Sequence, residues 1–100
     1  MKDWYSLTDL EILSEFGTRI RLARIERNLT QQMLADRSGL NRCTIRDLEN
    51  GHSVNLLSLF QLFRSLELLE LLDLLLPGSS QSPVLAKIQN ERKRVKHSKK

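Results

Sequence analysis

The chain has 100 residues, 40% of them apolar and 28% charged, with a formal net charge of +4. That length bounds it to one domain with one modest core, and the composition is that of a soluble globular protein. The charge is uneven: residues 1–86 hold 9 Lys/Arg against 11 Asp/Glu, a net of −2, and residues 87–100 hold 7 against one, a net of +6. Bulk charge therefore does not itself point to a nucleic-acid partner. Cys43 is the only cysteine, which excludes an intrachain disulfide and a cysteine metal cluster and suits a reducing cytoplasm. The charged start after Met1 has no apolar signal-peptide core. The leucine-rich stretch 56–76 is long enough to span a bilayer, but Arg64, Glu67, Glu70 and Asp73 within it argue against insertion.

In chain order, residues 1–7 are expected to be loosely ordered, with Trp4, Tyr5 and Leu7 folding back as an apolar lid that serves packing alone. Ser6 or Thr8 caps a first helix, and Thr8-Asp-Leu-Glu11 fits the capping-box pattern. Leu10, Leu13, Phe16, Ile20, Leu22, Ala23 and Ile25 continue it at helical spacing to about Arg27. Gly17 lies inside this pattern and is expected to kink or break it. Asn28 stands where a left-handed cap belongs.

The next stretch, Leu29 to Gly51, reads as two short helices with a tight turn between them. Thr30 caps the first, and Met33, Leu34 and Ala35 give it an apolar face. Gly39 ends it, Asn41 caps the second, Ile45 and Leu48 repeat at helical spacing, and Gly51 closes the pair. Two such helices joined by a glycine-containing turn make a helix-turn-helix. Residues 19–51 carry 7 basic and 4 acidic residues, a local net of +3.

Asn55 caps a further helix, with Val54 placed to staple onto Leu59. Leu56, Leu59, Phe60, Leu62, Phe63 and Leu66 share one broad face, with Ser58, Gln61, Arg64 and Ser65 opposite. A continuous helix would put Glu67 on the apolar face, so a break near Leu66–Leu68 is expected, giving helices over about 55–66 and 68–76. The second carries leucine on nearly every side, more than one small core absorbs, which predicts an apolar surface against another subunit. Pro77 to Pro83 is a linker by composition, with Ser82-Pro83 able to start a helix. Leu85, Ile88 and Val95 give a weak stripe in a basic tail. That tail reads either as a solvated, flexible end or as an extra phosphate contact or partner-binding segment. The domains expected are thus 1–77 and a linker with tail, 78–100. No internal repeat is apparent.

The segment Thr30-Gln31-Gln32, Leu34-Ala35, Gly39-Leu40-Asn41, Thr44-Ile45 and Leu48-Glu49-Asn50-Gly51 resembles the helix-turn-helix of the Cro/C1-type (XRE) family of bacterial and phage repressors. The similarity runs from about Gly17 to Leu76. It implies an all-α, five-helix, lambda-repressor-like DNA-binding domain. In that family an arginine matching Arg24 pairs with a glutamate matching Glu49, and a charge between packed helices needs such a partner. An Arg24–Glu49 ion pair is therefore expected, with a structural role.

The second helix of the motif fits a major groove, where each base pair has its own donor and acceptor pattern. With Ile45 and Leu48 inward, Arg42, Cys43, Thr44, Arg46 and Asp47 lie on the outer side. Arg42 is the best base reader, because guanidinium matches the two acceptors of guanine. The matching positions in phage repressors support Arg42, Cys43 and Asp47 as base-facing, and Arg46 reaches either a base or a phosphate. Cys43 is a poor hydrogen-bonding group, suited to a thymine methyl or simply to being small. Asp47 only accepts, which suits a cytosine amino group, unless it pairs with a neighbouring Arg. Gln31 resembles the glutamine that clamps the DNA backbone in these repressors, at a helix start that favours phosphate. Asn50, with Ser53 or Asn55, is expected to add backbone contacts, which set register and carry no sequence information.

The resemblance implies a sequence-specific transcriptional regulator, an autorepressor binding a near-palindromic operator as a dimer through the leucine-rich C-terminal helices. Val54 to Leu59, Leu66 to Pro77 and the tail from Ser82 also resemble the HipB-type antitoxins, which would add a HipA-like toxin kinase as partner. The competing class is a helical adaptor that binds protein and not DNA. Arg42, Arg46 and Gln31 on one face argue for DNA. An enzyme is least expected: His52 and His97 are far apart, Cys43 has no nearby His, and no cofactor is implied.

Overall fold

Thr8 starts the first long helix by satisfying two backbone groups at once. Its N–H donates to Glu11 Oε1 at 2.8 Å, and the Glu11 N–H donates to Thr8 Oγ1 at 3.2 Å, the expected capping box. The Thr8 N–H, then its hydroxyl, holds the Glu11 carboxyl below its ordinary 4.5. From this cap α1 runs unbroken over Asp9–Glu26. Asn28 takes the left-handed conformation after it, with φ 57°. In the computed structural model residues 2–76 are described. The chain divides into two units, Met1–Leu68 and Leu69–Lys100.

In the first unit three more helices follow α1: α2 over Gln31–Ser38, α3 over Arg42–Glu49 and α4 over Leu56–Ser65. Each begins at the side-chain cap that the sequence suggests. Thr30 Oγ1 accepts from the Met33 N–H at 3.0 Å, and Asn41 Oδ1 from those of Cys43 and Thr44 at 2.7 and 3.3 Å. Asn55 Oδ1 accepts from the Ser58 N–H at 2.8 Å. Gly39 ends α2 with φ 75° and turns the chain into α3. The break expected after α4 is present: Leu66 is its C-cap and Glu67 is left-handed, φ 59°. In the second unit the described residues form one 3-10 turn, Leu69–Leu71, and a short α5, Leu72–Leu75. The expected linker and basic tail lie outside the described residues. Among those described, no helix is long and apolar enough to cross a membrane.

The core of the first unit is Ile20, Leu29, Leu34, Ala35, Ile45, Leu48, Leu62, Phe63 and Leu66, with Phe16 against Phe63 at 6.3 Å between ring centroids. α1 packs on α3, and α2 on both α3 and α4. Arg27 joins the ends: its guanidinium donates to the carbonyls of Leu66 and Ala23, both at 2.8 Å. Val54 and Leu59 line one shallow apolar hollow of about 190 Å³ with Leu13, Phe16, Leu48, Ser53 and Leu56.

Four expectations need correction. Gly17 neither kinks nor breaks α1; it is buried where the C-terminal end of α3 crosses, and a Cβ there would overlap the Leu48 carbonyl oxygen and sit 3.1 Å from that of Glu49. The glycine is there for close approach. In the α1 stripe Leu10, Leu22 and Ile25 are exposed, and Met33 on α2 is too. On α4 the buried face is rotated: Ser58 is buried with Leu62 and Phe63, while Leu56, Leu57 and Phe60 are exposed. At the N-terminus Tyr5 is fully exposed, whereas Trp4 lies under the Arg19 guanidinium, 4.9 Å from the ring centroid.

Gly17→Ala should lower stability by about 3 kcal/mol, because backbone faces backbone and neither can yield cheaply. A urea midpoint equal to that of the wild type would show that α3 does not need this approach. Glu11→Ala should lower the melting temperature at neutral pH. A depressed carboxyl contributes stability above its unfolded pKa and loses it as pH falls through the folded value. The gap between variant and wild type should therefore narrow in acid.

Candidate nucleic-acid interface

α3 has two turns and must both hold on to the core and present a face outward. Ile45, Leu48 and Glu49 are its buried residues. Their spacing leaves Arg42 and Arg46, one turn apart, on the exposed side with Cys43. Thr44 and Asp47 are half-buried, and Asn50 is exposed at the C-cap, its N–H donating to the carbonyls of Arg46 and Asp47 at 3.0 and 3.2 Å. Among the described residues no ion pair engages Arg42, Arg46 or Asp47. Asp47 is thus not neutralised by an arginine neighbour. Two guanidinium groups on one open face, each with five donors, make a surface able to take up base acceptors or phosphate oxygens.

The helix is fixed from behind by the expected ion pair. Arg24 Nε donates to Glu49 Oε2 at 2.7 Å and Arg24 Nη2 to Glu49 Oε1 at 3.0 Å, a bidentate fork. The Glu49 side chain is 1% exposed and that of Arg24 10%. Arg24 Nη1 donates to the Leu29 carbonyl at 2.7 Å. One guanidinium from α1 thereby holds the peptide that leads into α2 and the last residue of α3.

Of the other residues singled out in the sequence, Gln31 is at the start of α2 and half-buried. Its Nε2 donates to Glu49 Oε1 at 3.0 Å, a contact that the sequence does not announce. Gln32 is occupied by Asp36, Nε2 to Oδ1 at 3.0 Å. Asn55 spends its side-chain oxygen on the α4 cap, and Ser53 borders the apolar hollow. His52 is exposed.

A helix-turn-helix family model matches residues 20–74, more than half of the chain. The chain belongs to this XRE-type helix-turn-helix family. It is a DNA-binding transcription regulator by that membership. The solved structures similar to it include two of the restriction-modification controller protein C.Esp1396I. The wild type is 32% identical, with TM-score 0.53, over 61% of this chain and 78% of that one. A point variant of the same protein is 33% identical, with TM-score 0.53, over 60% and 75%. A comparison with curated proteins found no match. In the helix-turn-helix of this chain α2 and α3 are the two motif helices, and the all-helical lambda-repressor-like fold read from the sequence is the one observed.

Glu49→Ala should destabilise the domain by about 3–5 kcal/mol, because it strands a buried guanidinium. Urea unfolding checks this. A loss below about 1 kcal/mol, the range of an exposed pair, would mean that water reaches Arg24.

Proposed function

We propose that the chain binds one operator sequence as a two-fold dimer and represses its own gene, working in the cytoplasm. The observation that carries this reading is the outer face of α3, where Arg42 and Arg46 stand exposed and, among the described residues, have no ion-pair partner. Arg42, at the N-terminal end of α3, is the base reader, paired with guanine. Arg46 reaches a base or a phosphate, Cys43 and Thr44 meet the groove floor by small apolar contact, and Asp47 accepts from a cytosine amino group. Gln31 and Asn50 hold the DNA backbone on either side, which sets register. The similar structures are of a restriction-modification controller protein, which makes genes of that kind the first place to seek the operator.

Dimerisation is supported by two features. Leu68 to Leu76 holds seven leucines in nine positions, and α4 exposes Leu56, Leu57 and Phe60. Two copies would read half-sites about 34 Å apart, so the operator should be near-palindromic. The antitoxin form of this reading, with a HipA-like toxin kinase as partner, has only the pattern of Val54 to Leu59 and Leu66 to Pro77 behind it. The similar structures lend it no support.

Arg42→Ala should weaken binding to the chain's own upstream region by about 1–3 kcal/mol and leave binding to a scrambled duplex unchanged. A titration of both duplexes over a salt series checks this. Equal, steeply salt-dependent binding of the wild type to both would place binding on the basic tail. No binding at moderate salt would favour the adaptor reading.

A further inference from the structure

Glu49 receives three donors from two residues. Two come from Arg24, and the third is the Gln31 side-chain amide. The orientation of that amide is fixed by charge, since the reverse flip would set its oxygen against a carboxylate. Of the three side chains, Arg24 and Glu49 are buried and Gln31 is half-exposed. Gln31 is where the buried pair reaches the surface.

A primary amide has two N–H donors. One is committed to Glu49, and among the described residues no acceptor takes the other. Gln31 also opens α2, where Thr30 Oγ1 takes the Met33 N–H and the Thr30 carbonyl takes that of Leu34. The Gln31 and Gln32 N–H groups ahead of them lie outside the intrahelical ladder. A phosphate oxygen at this end meets main-chain N–H groups, the helix dipole and the second amide hydrogen together. The Arg24 fork neutralises Glu49, so that phosphate would not face a bare carboxylate. An unanchored glutamine side chain, by contrast, would have to be ordered at the moment of binding.

We propose that Glu49 is a positioning residue for DNA binding: it holds the Gln31 amide so that its second N–H meets a backbone phosphate. The buried ion pair then sets the strength of a phosphate contact as well as the angle of α3. This rests on the DNA-binding reading above.

The test is a double-mutant cycle in the full chain. Gln31→Ala is made in the wild type and in an Arg24→Met/Glu49→Leu variant, where the ion pair is replaced by apolar groups of similar size, a change that buried pairs often tolerate. Cooperative unfolding and a wild-type helical signal establish that the variant is folded. Gln31→Ala in the wild type should weaken binding to the operator and to a scrambled duplex alike, by about tenfold, the size of one charge-assisted hydrogen bond. The apolar variant should lose a similar factor. Adding Gln31→Ala to it should then cost less than about twofold more, because the anchor is already gone. An equal loss in both backgrounds, or no loss in the wild type, overturns the proposal. A second measurement does not depend on that variant folding: the Gln31 side-chain amide resonances. In the free wild type they should be shifted from random-coil carboxamide values and should move on addition of the scrambled duplex. Random-coil resonances that ignore DNA overturn the proposal alone. A wild type that binds neither duplex overturns the DNA-binding reading with it.

Discussion

Arg24 is a charge inside a domain too small to waste one. A guanidinium out of water is tolerable only if its donors find acceptors, and here all three nitrogens donate, to two partners. Nε and Nη2 take the two oxygens of Glu49, and Nη1 takes the Leu29 carbonyl. The planar fork makes these bonds mutually dependent, since the group cannot turn toward one partner without leaving another. α1, the peptide leading into α2 and the end of α3 are therefore held in one geometry. A leucine pair could fill the same space with equal or better stability, but it would leave the Leu29 carbonyl and the Gln31 amide without these partners. In a helix whose outer residues must meet fixed groups on a partner surface, angle matters more than net stabilisation.

Close backbone approach supplies the matching constraint. Gly17 lets α1 lie against the carbonyls of Leu48 and Glu49, and Gly51, with φ 87°, turns so close past Ser14 that an added Cβ would lie 3.2 Å from the Ser14 Cα. The ion pair and the glycine contact act on the same end of α3 from the same helix. One sets direction and the other sets distance. Arg27 does comparable work at the far side, where its donors close the last carbonyls of α1 and α4. The helices are thus fixed mainly at their ends, by capping and donation, around a core of nine apolar residues.

What the sequence shows best is whatever is decided locally. The caps at Thr8, Thr30, Asn41 and Asn55 need only a side chain and the next three N–H groups, and all four are legible. So are the left-handed Asn28 and the interruption after Leu66. The Arg24–Glu49 pair is legible only by resemblance, because the two residues are 25 positions apart. Gly17 misleads, since a glycine in a helical pattern looks the same whether it breaks the helix or admits a neighbour. Ser58 and Phe60 mislead for a different reason. The periodicity of α4 gives the width of an apolar face, but its neighbours choose which edge turns inward, and they chose the edge holding Ser58, Leu62 and Leu66. At the candidate site two inward residues imply the outward set Arg42, Cys43, Thr44, Arg46 and Asp47, of which Arg42, Cys43 and Arg46 are exposed and Thr44 and Asp47 half-buried. The Gln31–Glu49 bond does not, because nothing in either residue's surroundings in sequence signals the other.

An eight-residue helix is marginal by itself in water. α3 can draw no stability from its outer face, which is reserved for solvent or a partner. All of it must come from Ile45, Leu48 and Glu49, from the Asn41 cap, and from the turn through Gly51. That concentration explains why charge pairing, glycine approach and a doubly used cap all converge on so short a segment. It also separates two tasks that would otherwise conflict. Residues that keep α3 folded face inward or sit at its ends, and residues that could discriminate among partners face outward. Arg42, Cys43 and Arg46 can therefore change identity with little effect on folding, whereas Glu49 cannot. The Gln31 amide is the exception, bonded to the inner set and half-exposed toward the outer one, and it is where a change in either would be felt in the other.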